Sequence, residues 1–246
     1  MKHVAIFGAS SMLARAIAAD LARRGFGLVL AGRDRDEIEA VAADVHLRFG
    51  VPTHAVPFDA EEFETHGRSW EECRTVTADS LVGAFVCFGY LGSQQDAERD
   101  AAEARRIADV NFTGATTLLL WAANHFSGKQ QGFLCAIASV SGDRGRQRNY
   151  FYGAAKAGLA AFMQGLRNRL HCKGVTVTTV KPGFLDTRMT YGRQGMFLVA
   201  SPEQAARTIV RATLKGQAEV YVPGCWRWIM LAVRSVPETI FKRTRI

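Results

Sequence analysis

The chain has 246 residues, of which 48% are hydrophobic and 22% are charged. This length and apolar share suit one α/β domain with a substantial core, and they exclude an intrinsically disordered chain. The formal net charge is +8, but we predict no nucleic-acid partner, because the basic residues are not interleaved with aromatic ones on a recognisable binding platform.

Neither a secretory leader nor a membrane-spanning helix is expected. Residues 1–8 already read as a strand running into a glycine turn, and no apolar stretch reaches the roughly 18–20 residues that a spanning helix needs. The five cysteines are scattered, with no CxxC pair and no metal-ligand spacing, which is typical of a reducing compartment. We therefore predict a cytoplasmic protein without a bound metal.

Short apolar runs alternate with longer helical patterns along the chain. The predicted strands are His3–Phe7, Gly27–Ala31, Thr53–Phe58, Leu81–Phe88, Gly132–Ala138, Val175–Val180 and Glu219–Val222. The predicted helices are Leu13–Arg24, Arg35–Phe49, Ala101–Phe126, Gly153–His171 and Ser201–Lys215. Because parallel strands need a crossover, usually a helix, this alternation predicts a Rossmann-type, doubly wound, seven-stranded parallel sheet in a single α/β domain over residues 1–246. Ligands of such sheets bind beyond the carboxyl ends of the strands.

The first predicted strand ends in a glycine turn that leads directly into a helix. Such a turn points free backbone N–H groups at a pyrophosphate, and the helix dipole assists. In the usual dinucleotide fingerprint of three small positions, Gly8 fills the first, Met12 replaces the middle glycine, and Ala14 fills the last. The sequence also suits an ordinary turn. The residues predicted to contact a dinucleotide here are Gly8, Ser10, Ser11, Met12 and Leu13.

Charged residues follow the second and third strands. Arg33 lies where NAD-preferring enzymes commonly carry an acid for the ribose 2′-hydroxyl, and a guanidinium suits a 2′-phosphate instead. This favours NADP(H), with NAD(H) as the alternative if Arg33 is only a solvated residue of a polar turn. Asp59 is predicted either to accept a hydrogen bond from the adenine amino group or to cap a helix.

Ser139, Tyr152 and Lys156 form the most informative pattern. Tyr152 and Lys156 are four residues apart, on one face of a predicted helix. A phenol, with an ordinary pKa of about 10, is too weak an acid for fast protonation of an alkoxide at neutral pH, and a neighbouring ammonium lowers that pKa. Ser139 ends the fifth predicted strand, where its hydroxyl could donate to a substrate carbonyl.

Together these motifs resemble the short-chain dehydrogenase/reductase family over essentially the whole chain. The residues that match the family's catalytic set are Asn111, Ser139, Tyr152 and Lys156. The residues that match its PGxxxT segment are Pro182, Gly183 and Thr187. The resemblance implies that the asparagine holds a water in a proton relay to the lysine, that Tyr152 and Lys156 also contact the cofactor, and that the PGxxxT segment cradles the nicotinamide. It also implies a homo-oligomer, often formed through the two long helices.

Two segments depart from the family pattern. Met12 replaces a glycine of the phosphate loop, and residues 86–89 read Val-Cys-Phe-Gly where the family often has Asn-Asn-Ala-Gly. Both departures lie on the cofactor side, so they bear on cofactor affinity and choice more than on the chemistry. Phe88 and Gly89 are still predicted to line the cofactor site.

Basic residues indicate an anionic substrate. Arg144, Arg146 and Arg148 lie in the loop between Ser139 and Tyr152, where they could bind an anion or simply be solvated. Residues 225–246 join two tryptophans, aliphatic residues and arginines. This basic amphipathic segment is predicted to lie at a membrane surface, the alternative being a helix packed on the body or on another subunit.

These features resemble, within the family, the reductases of 2-keto-pentoses carried on a polyprenyl phosphate. That resemblance implies hydride delivery to a keto-sugar made by a flavin oxidase partner, and it implies NADH, which conflicts with the interpretation of Arg33. The alternatives are a general reductase of soluble ketones or 3-ketoacyl thioesters, and a non-catalytic dinucleotide-sensing scaffold. Whether the substrate is a soluble small molecule or a lipid-linked sugar stays open at this point.

Overall fold

The computed structural model describes residues 1–188, 190–192 and 195–244. Seven parallel strands form one sheet in the order β3-β2-β1-β4-β5-β6-β7. The strands are β1 His3–Phe7, β2 Gly27–Gly32, β3 Thr53–Pro57, β4 Leu81–Val86, β5 Gly132–Ile137, β6 Val175–Pro182 and β7 Glu219–Val222. This confirms the predicted single domain with a doubly wound parallel sheet.

Helices cover both faces of the sheet. Their bounds are α1 Met12–Arg23, α2 Arg35–Phe49, α3 His66–Val76, α4 Gln94–Ala97, α5 Ala101–Ala108, α6 Gly114–Lys129, α7 Tyr150–Leu170, α8 Pro202–Leu214, α9 Trp226–Ser235 and α10 Glu238–Phe241. Local caps explain several of the starts: Ser11, Asp34 and Ser201 each accept a hydrogen bond from a backbone N–H in the first turn.

The core lies in two layers because each central strand buries both of its faces. Alternate residues of β1 point into different layers: Val4 and Ile6 pack against α1, α2 and α8, whereas Ala5 and Phe7 pack against α3, α6 and α7. All five residues of β1 are buried. This explains why the strands read as continuous apolar runs rather than as alternating ones. No helix in the described part of the chain is long and apolar enough to cross a membrane.

Several element boundaries differ from the sequence predictions by one to three residues, and three differences lie near the sheet edge described below. β4 ends at Val86 rather than Phe88, and β6 continues to Pro182 because it still pairs there with β7. The predicted helix over residues 101–126 is not continuous. Residues Asp109–Thr113 form a π-helical turn between α5 and α6, a wider turn that helical periodicity alone does not reveal.

Candidate active site

A cleft of about 260 Å³ opens at the carboxyl ends of β1, β2, β3 and β4. Gly8, Gly32 and Gly89 contribute backbone to its wall. Gly8 has φ of +80°, and a Cβ built on it would lie 2.6 Å from the backbone nitrogen of Phe88. Only glycine therefore fits at this crossing of the β1 and β4 loops.

The glycine turn after β1 leads directly into the capped N-terminus of α1. Ser10 and Ser11 line the cleft, and the Ser11 side chain accepts a hydrogen bond from Ala14 N at the start of α1. Leu13 is buried in the core, whereas Met12 is 41% exposed in a separate groove between α1 and α8. Their side chains do not line the cleft, so only their backbone is available for the predicted cofactor contact.

Arg33 also lines this cleft, beside two other charged side chains. Its guanidinium lies 3.8 Å from the Glu61 carboxylate, which also accepts from Arg106 at 3.2 Å. The Arg33 side chain is 63% exposed, and such an ion pair contributes little to stability. The Arg33 guanidinium therefore lies at the wall of the cleft, held only by a solvent-exposed ion pair.

Asp59 lies in the cleft at the end of β3, where it organises a turn. Its carboxylate accepts from Glu61 N at 2.9 Å, and its carbonyl oxygen lies 2.9 Å from Nε2 of the fully buried His66. Asp59 thus caps a turn rather than α3, which is preceded by Thr65. Burial lowers the pKa of His66, so the ring is neutral and its Nε2–H is a suitable donor to the Asp59 carbonyl.

Asn111 joins the π-helical turn to the loop after β4. Its amide Nδ2 donates to the carbonyls of Tyr90 and Ile107, and its Oδ1 accepts from Tyr90 N at 3.2 Å. A Cβ built on Gly89 would lie 3.0 Å from Asn111 Oδ1 and 3.4 Å from Lys156 Nζ. The backbone at Gly89 therefore runs directly past both side chains.

Tyr152 and Lys156 lie together on the first turns of α7. The Lys156 Nζ is 5.8 Å from the centre of the Tyr152 ring and donates to Ile137 O at 2.9 Å. Lys156 is only 2% exposed, and burial lowers its pKa from 10.5 to about 8. The charge of a nearby Cys87 thiolate would act against that shift, and Cys87 is buried directly after β4.

Ser139 follows β5 in extended conformation, and its Oγ accepts from Ser141 N at 3.1 Å. The next residues, Val140–Gly142, form one 3₁₀ turn that packs closely on α7. A Cβ on Gly142 would lie 2.7 Å from Ala157 N. This packing holds residues 139–143, called the serine loop below, against the helix that carries Tyr152 and Lys156.

The segment after β6 is covered by the C-terminal helix. A Cβ on Gly183 would lie 2.0 Å from Nε1 of the buried Trp226 on α9. Pro182 is buried at the end of β6, and Thr187 is half-buried, with its backbone N–H bonded to Thr190 Oγ1 at 3.2 Å. Trp226 therefore covers the predicted nicotinamide segment at Gly183. The prediction of an amphipathic C-terminal segment did not include this contact.

The three arginines of the loop before α7 have different surroundings. Arg144 donates to the carbonyls of Val233 and Val236 at the end of α9, pairs with Glu238 at 2.9 Å and stacks on Phe241. Its guanidinium is committed to the C-terminal helices, so we exclude it from the predicted substrate contacts.

Arg146 and Arg148 are placed differently from Arg144. Arg146 is half-buried and donates to Val140 O at 3.0 Å, and burial lowers its pKa. Arg148 is exposed on the same loop. Of the three predicted anion ligands, these two remain.

The residues present fit a dinucleotide. The cleft offers glycines whose missing side chains leave room for close backbone approach, a capped helix N-terminus at α1 and a cationic side chain at its far end. The same edge of the sheet continues with Ser139 after β5 and Gly183 after β6, and with Tyr152 and Lys156 at the start of α7.

Comparison with known proteins identifies the family of this chain. The short chain dehydrogenase family matches residues 2–195. An uncharacterized oxidoreductase of Mycobacterium tuberculosis is 35% identical over 98% of this chain and 96% of its own length. A short-chain dehydrogenase from Sphingobium yanoikuyae, solved with NADPH, superposes with a TM-score of 0.82 at 24% identity over 97% of both chains. NAD⁺-bound xylitol dehydrogenase superposes with a TM-score of 0.78 at 17% identity over 90% of this chain and 97% of its own. The chain belongs to the short-chain dehydrogenase family of oxidoreductases.

Proposed function

We propose that the protein reduces a ketone to an alcohol with a nicotinamide dinucleotide, using Tyr152 as the proton donor. The observation that carries this proposal is the placement of the buried Lys156 ammonium 5.8 Å from the Tyr152 ring, beside Asn111 and the glycine-lined cleft. When bound, the nicotinamide would supply the hydride. Proton transfer to the resulting alkoxide requires an acidic hydroxyl, a neighbouring ammonium and a hydrogen-bond donor to the substrate oxygen. Tyr152, Lys156 and Ser139 would supply these at one edge of the sheet.

Each polar side chain has a distinct proposed role. Ser139 Oγ donates to the substrate oxygen, and Tyr152 gives that oxygen its proton as charge develops. Lys156 stabilises the phenolate that Tyr152 becomes, and it also binds the ribose of the cofactor. Asn111 fixes the backbone at Tyr90 and holds a water that returns a proton towards Lys156. Gly8, Ser10, Ser11, Asp59, Phe88, Gly89, Pro182, Gly183 and Thr187 form the proposed cofactor contacts.

We propose NADP(H) as the preferred cofactor, because Arg33 faces the cleft where the second strand ends. Arg33→Asp is expected to weaken NADPH binding about 10- to 100-fold, the value of one or two lost charge-assisted hydrogen bonds, and to leave NADH binding unchanged or stronger. Fluorescence titration with both cofactors measures this. Arg35→Asp is the matched control, because Arg35 is exposed and pairs with Glu39 outside the cleft. Equal affinities for both cofactors before and after the Arg33 change would contradict the assignment.

For the substrate we propose a 2-keto-pentose carried on a polyprenyl phosphate. Arg146 and Arg148 lie beside the serine loop, where they suit a phosphodiester. On α9 and α10 the apolar side chains of Trp228, Leu231 and Ile240 are exposed. They are flanked by exposed basic residues, an arrangement that favours contact with an anionic lipid surface.

The C-terminal segment both packs on the body and exposes an apolar face. Trp226, Met230 and Phe241 are buried, and Trp228 is 68% exposed. The two sequence alternatives, a packed helix and a surface-binding one, are therefore compatible. A peripheral location at the cytoplasmic face of a membrane, a flavin oxidase partner that supplies the ketone, and a homo-oligomer complete the proposal.

The test compares turnover of the keto-pentose lipid in anionic vesicles with turnover of soluble ketones and a 3-ketoacyl thioester. Trp228→Ser should lower only the rate on the vesicle-borne substrate, because the removed side chain is exposed and contributes to membrane contact rather than to the core. Leu47→Ser, on the exposed side of α2, is the control. Equal rates for both variants and efficient turnover of soluble ketones without lipid would favour the general carbonyl reductase.

A further inference from the structure

The loop after Ser139 carries a carboxylate buried away from the cleft. The Asp143 side chain is 3% exposed. One of its oxygens lies 2.7 Å from Lys181 Nζ, and the other accepts from the Tyr221 hydroxyl at 2.8 Å. These three residues, Asp143, Lys181 and Tyr221, are called the loop anchor below. They come from a loop and two adjacent strands that are far apart in sequence.

Lys181 keeps its charge despite its burial. Lys181 is 7% exposed and pairs also with Glu219 at 2.7 Å, so that two carboxylates face one ammonium. Burial alone would lower the pKa of Lys181, but its hydrogen bonds to the two acids raise it overall. Burial and the Asp143 bond raise the pKa of Tyr221 to about 12. At neutral pH the lysine is therefore charged and the tyrosine is a donor.

A buried ion pair is a poor source of net stability, because desolvation of the two charges offsets much of their attraction. Apolar side chains of similar volume would stabilise this position as well or better. The ion pair supplies something else, namely a fixed distance and direction between the two backbones that carry the charges.

Those two backbones are the ones that flank the proposed reaction. Asp143 is joined to Ser139 by a single 3₁₀ turn, in which Asp143 N donates to Val140 O at 3.2 Å and Gly142 N to Ser139 O at 3.1 Å. Lys181 directly precedes the segment that begins at Pro182. One ion pair thus links the loop of the proposed carbonyl-binding serine to the segment of the proposed nicotinamide site.

We propose that Asp143 is a positioning residue, which sets the distance between Ser139 and the nicotinamide segment by binding Lys181 and Tyr221. This inference rests on the proposed reductase function. It assigns no contact between Asp143 and the substrate or the cofactor. Because a shift of about 1 Å between reacting groups lowers rates on the order of 100-fold, the linkage matters for turnover more than for folding.

The principal test is Asp143→Asn, measured with NADPH and a ketone that the wild type reduces. We expect kcat to fall about 10- to 100-fold with little change in the Kd of NADPH, because the variant loosens the geometry rather than the binding groups. The primary isotope effect with deuterated NADPH should increase as hydride transfer becomes rate-limiting. Tyr221→Phe removes one hydrogen bond to Asp143 and leaves the ion pair, so it should act in the same direction by a smaller factor.

Glu219→Gln is the matched control. Glu219 is the second acid on Lys181, but it lies on β7 rather than on the loop that carries Ser139. If positioning is the cause, this variant keeps wild-type kcat. An equal loss of kcat in Glu219→Gln and Asp143→Asn, or wild-type kcat in a folded Asp143→Asn, overturns the proposal.

Amide hydrogen exchange separates this inference from the proposed function. In Asp143→Asn, exchange over residues 139–146 should be faster than in the wild type, whereas Glu219→Gln should leave it unchanged. This measurement needs no turnover. A wild type that reduces no ketone would refute the proposed function. Unchanged exchange over residues 139–146 in Asp143→Asn would refute the loop anchor.

Discussion

Tyr152→Phe is expected to lower kcat about 100- to 10,000-fold while cofactor affinity stays close to that of the wild type. The change removes one oxygen from a side chain that is already largely buried, so packing of the ring beside Ile107 and Tyr90 is retained. What is lost is the proton for the alkoxide. Steady-state rates and NADPH titration by fluorescence measure the two effects separately.

Tyr150→Phe is the control for this change. Tyr150 begins the same helix, two residues earlier, and its side chain is 40% exposed against Phe151. It should retain wild-type turnover. Equal activity in the two variants would show that the proton comes from elsewhere, and a protein that binds NADPH but reduces nothing before or after the change would support the sensing scaffold.

Lys156→Met is expected to abolish most turnover and at the same time to stabilise the fold. The folded pKa of Lys156 is about 8 and the ordinary value is 10.5. Since the unfolded chain binds the proton more tightly, the charged lysine destabilises the folded state at pH 7. The difference of about 2.5 units corresponds to at most about 3 kcal/mol, reduced by the lost bond to Ile137 O.

The pH dependence of stability follows from the same lowering of the Lys156 pKa in the folded state. Below about pH 8 both states carry the proton and the destabilisation is complete; between about 8 and 10.5 only the unfolded state does, so wild-type stability rises and the advantage of Lys156→Met disappears. Thermal unfolding from pH 7 to 10.5 measures this, with the exposed Lys173→Met as control. A variant less stable than the wild type at pH 7 would contradict the prediction.

The sheet could be predicted from sequence because a parallel strand covered on both faces must be apolar throughout. Most strand and helix ends were predicted within two positions, because the capping residues that set them lie close in sequence. The four-residue spacing of Tyr152 and Lys156 also predicted their proximity, since one turn of helix fixes it locally.

Longer-range contacts could not be predicted in this way. Nothing in the loop sequence shows that Arg144 turns to the end of α9 whereas Arg146 turns back to Val140. The cover of Gly183 by Trp226 and the pairing of Asp143 with Lys181 each join residues about 40 positions apart. The only sequence signals were a lysine before Pro182 in an apolar strand and an acid within a basic loop.

The π-helical turn at Asp109–Thr113 constrains how this region can change length. A π turn holds one residue more than an α turn, and here the extra residue brings the Asn111 amide to the Tyr90 carbonyl. Deleting one residue between Ala101 and Asn111 would restore regular winding at the cost of rotating the asparagine by about 100° around the helix axis. Deleting one residue beyond Thr113 would instead rotate the rest of α6, with its buried face, by about 100°. We therefore expect deletions before Asn111 to lower activity most and deletions in α6 to lower stability most, and a library of single-residue deletions through both helices would measure the two effects.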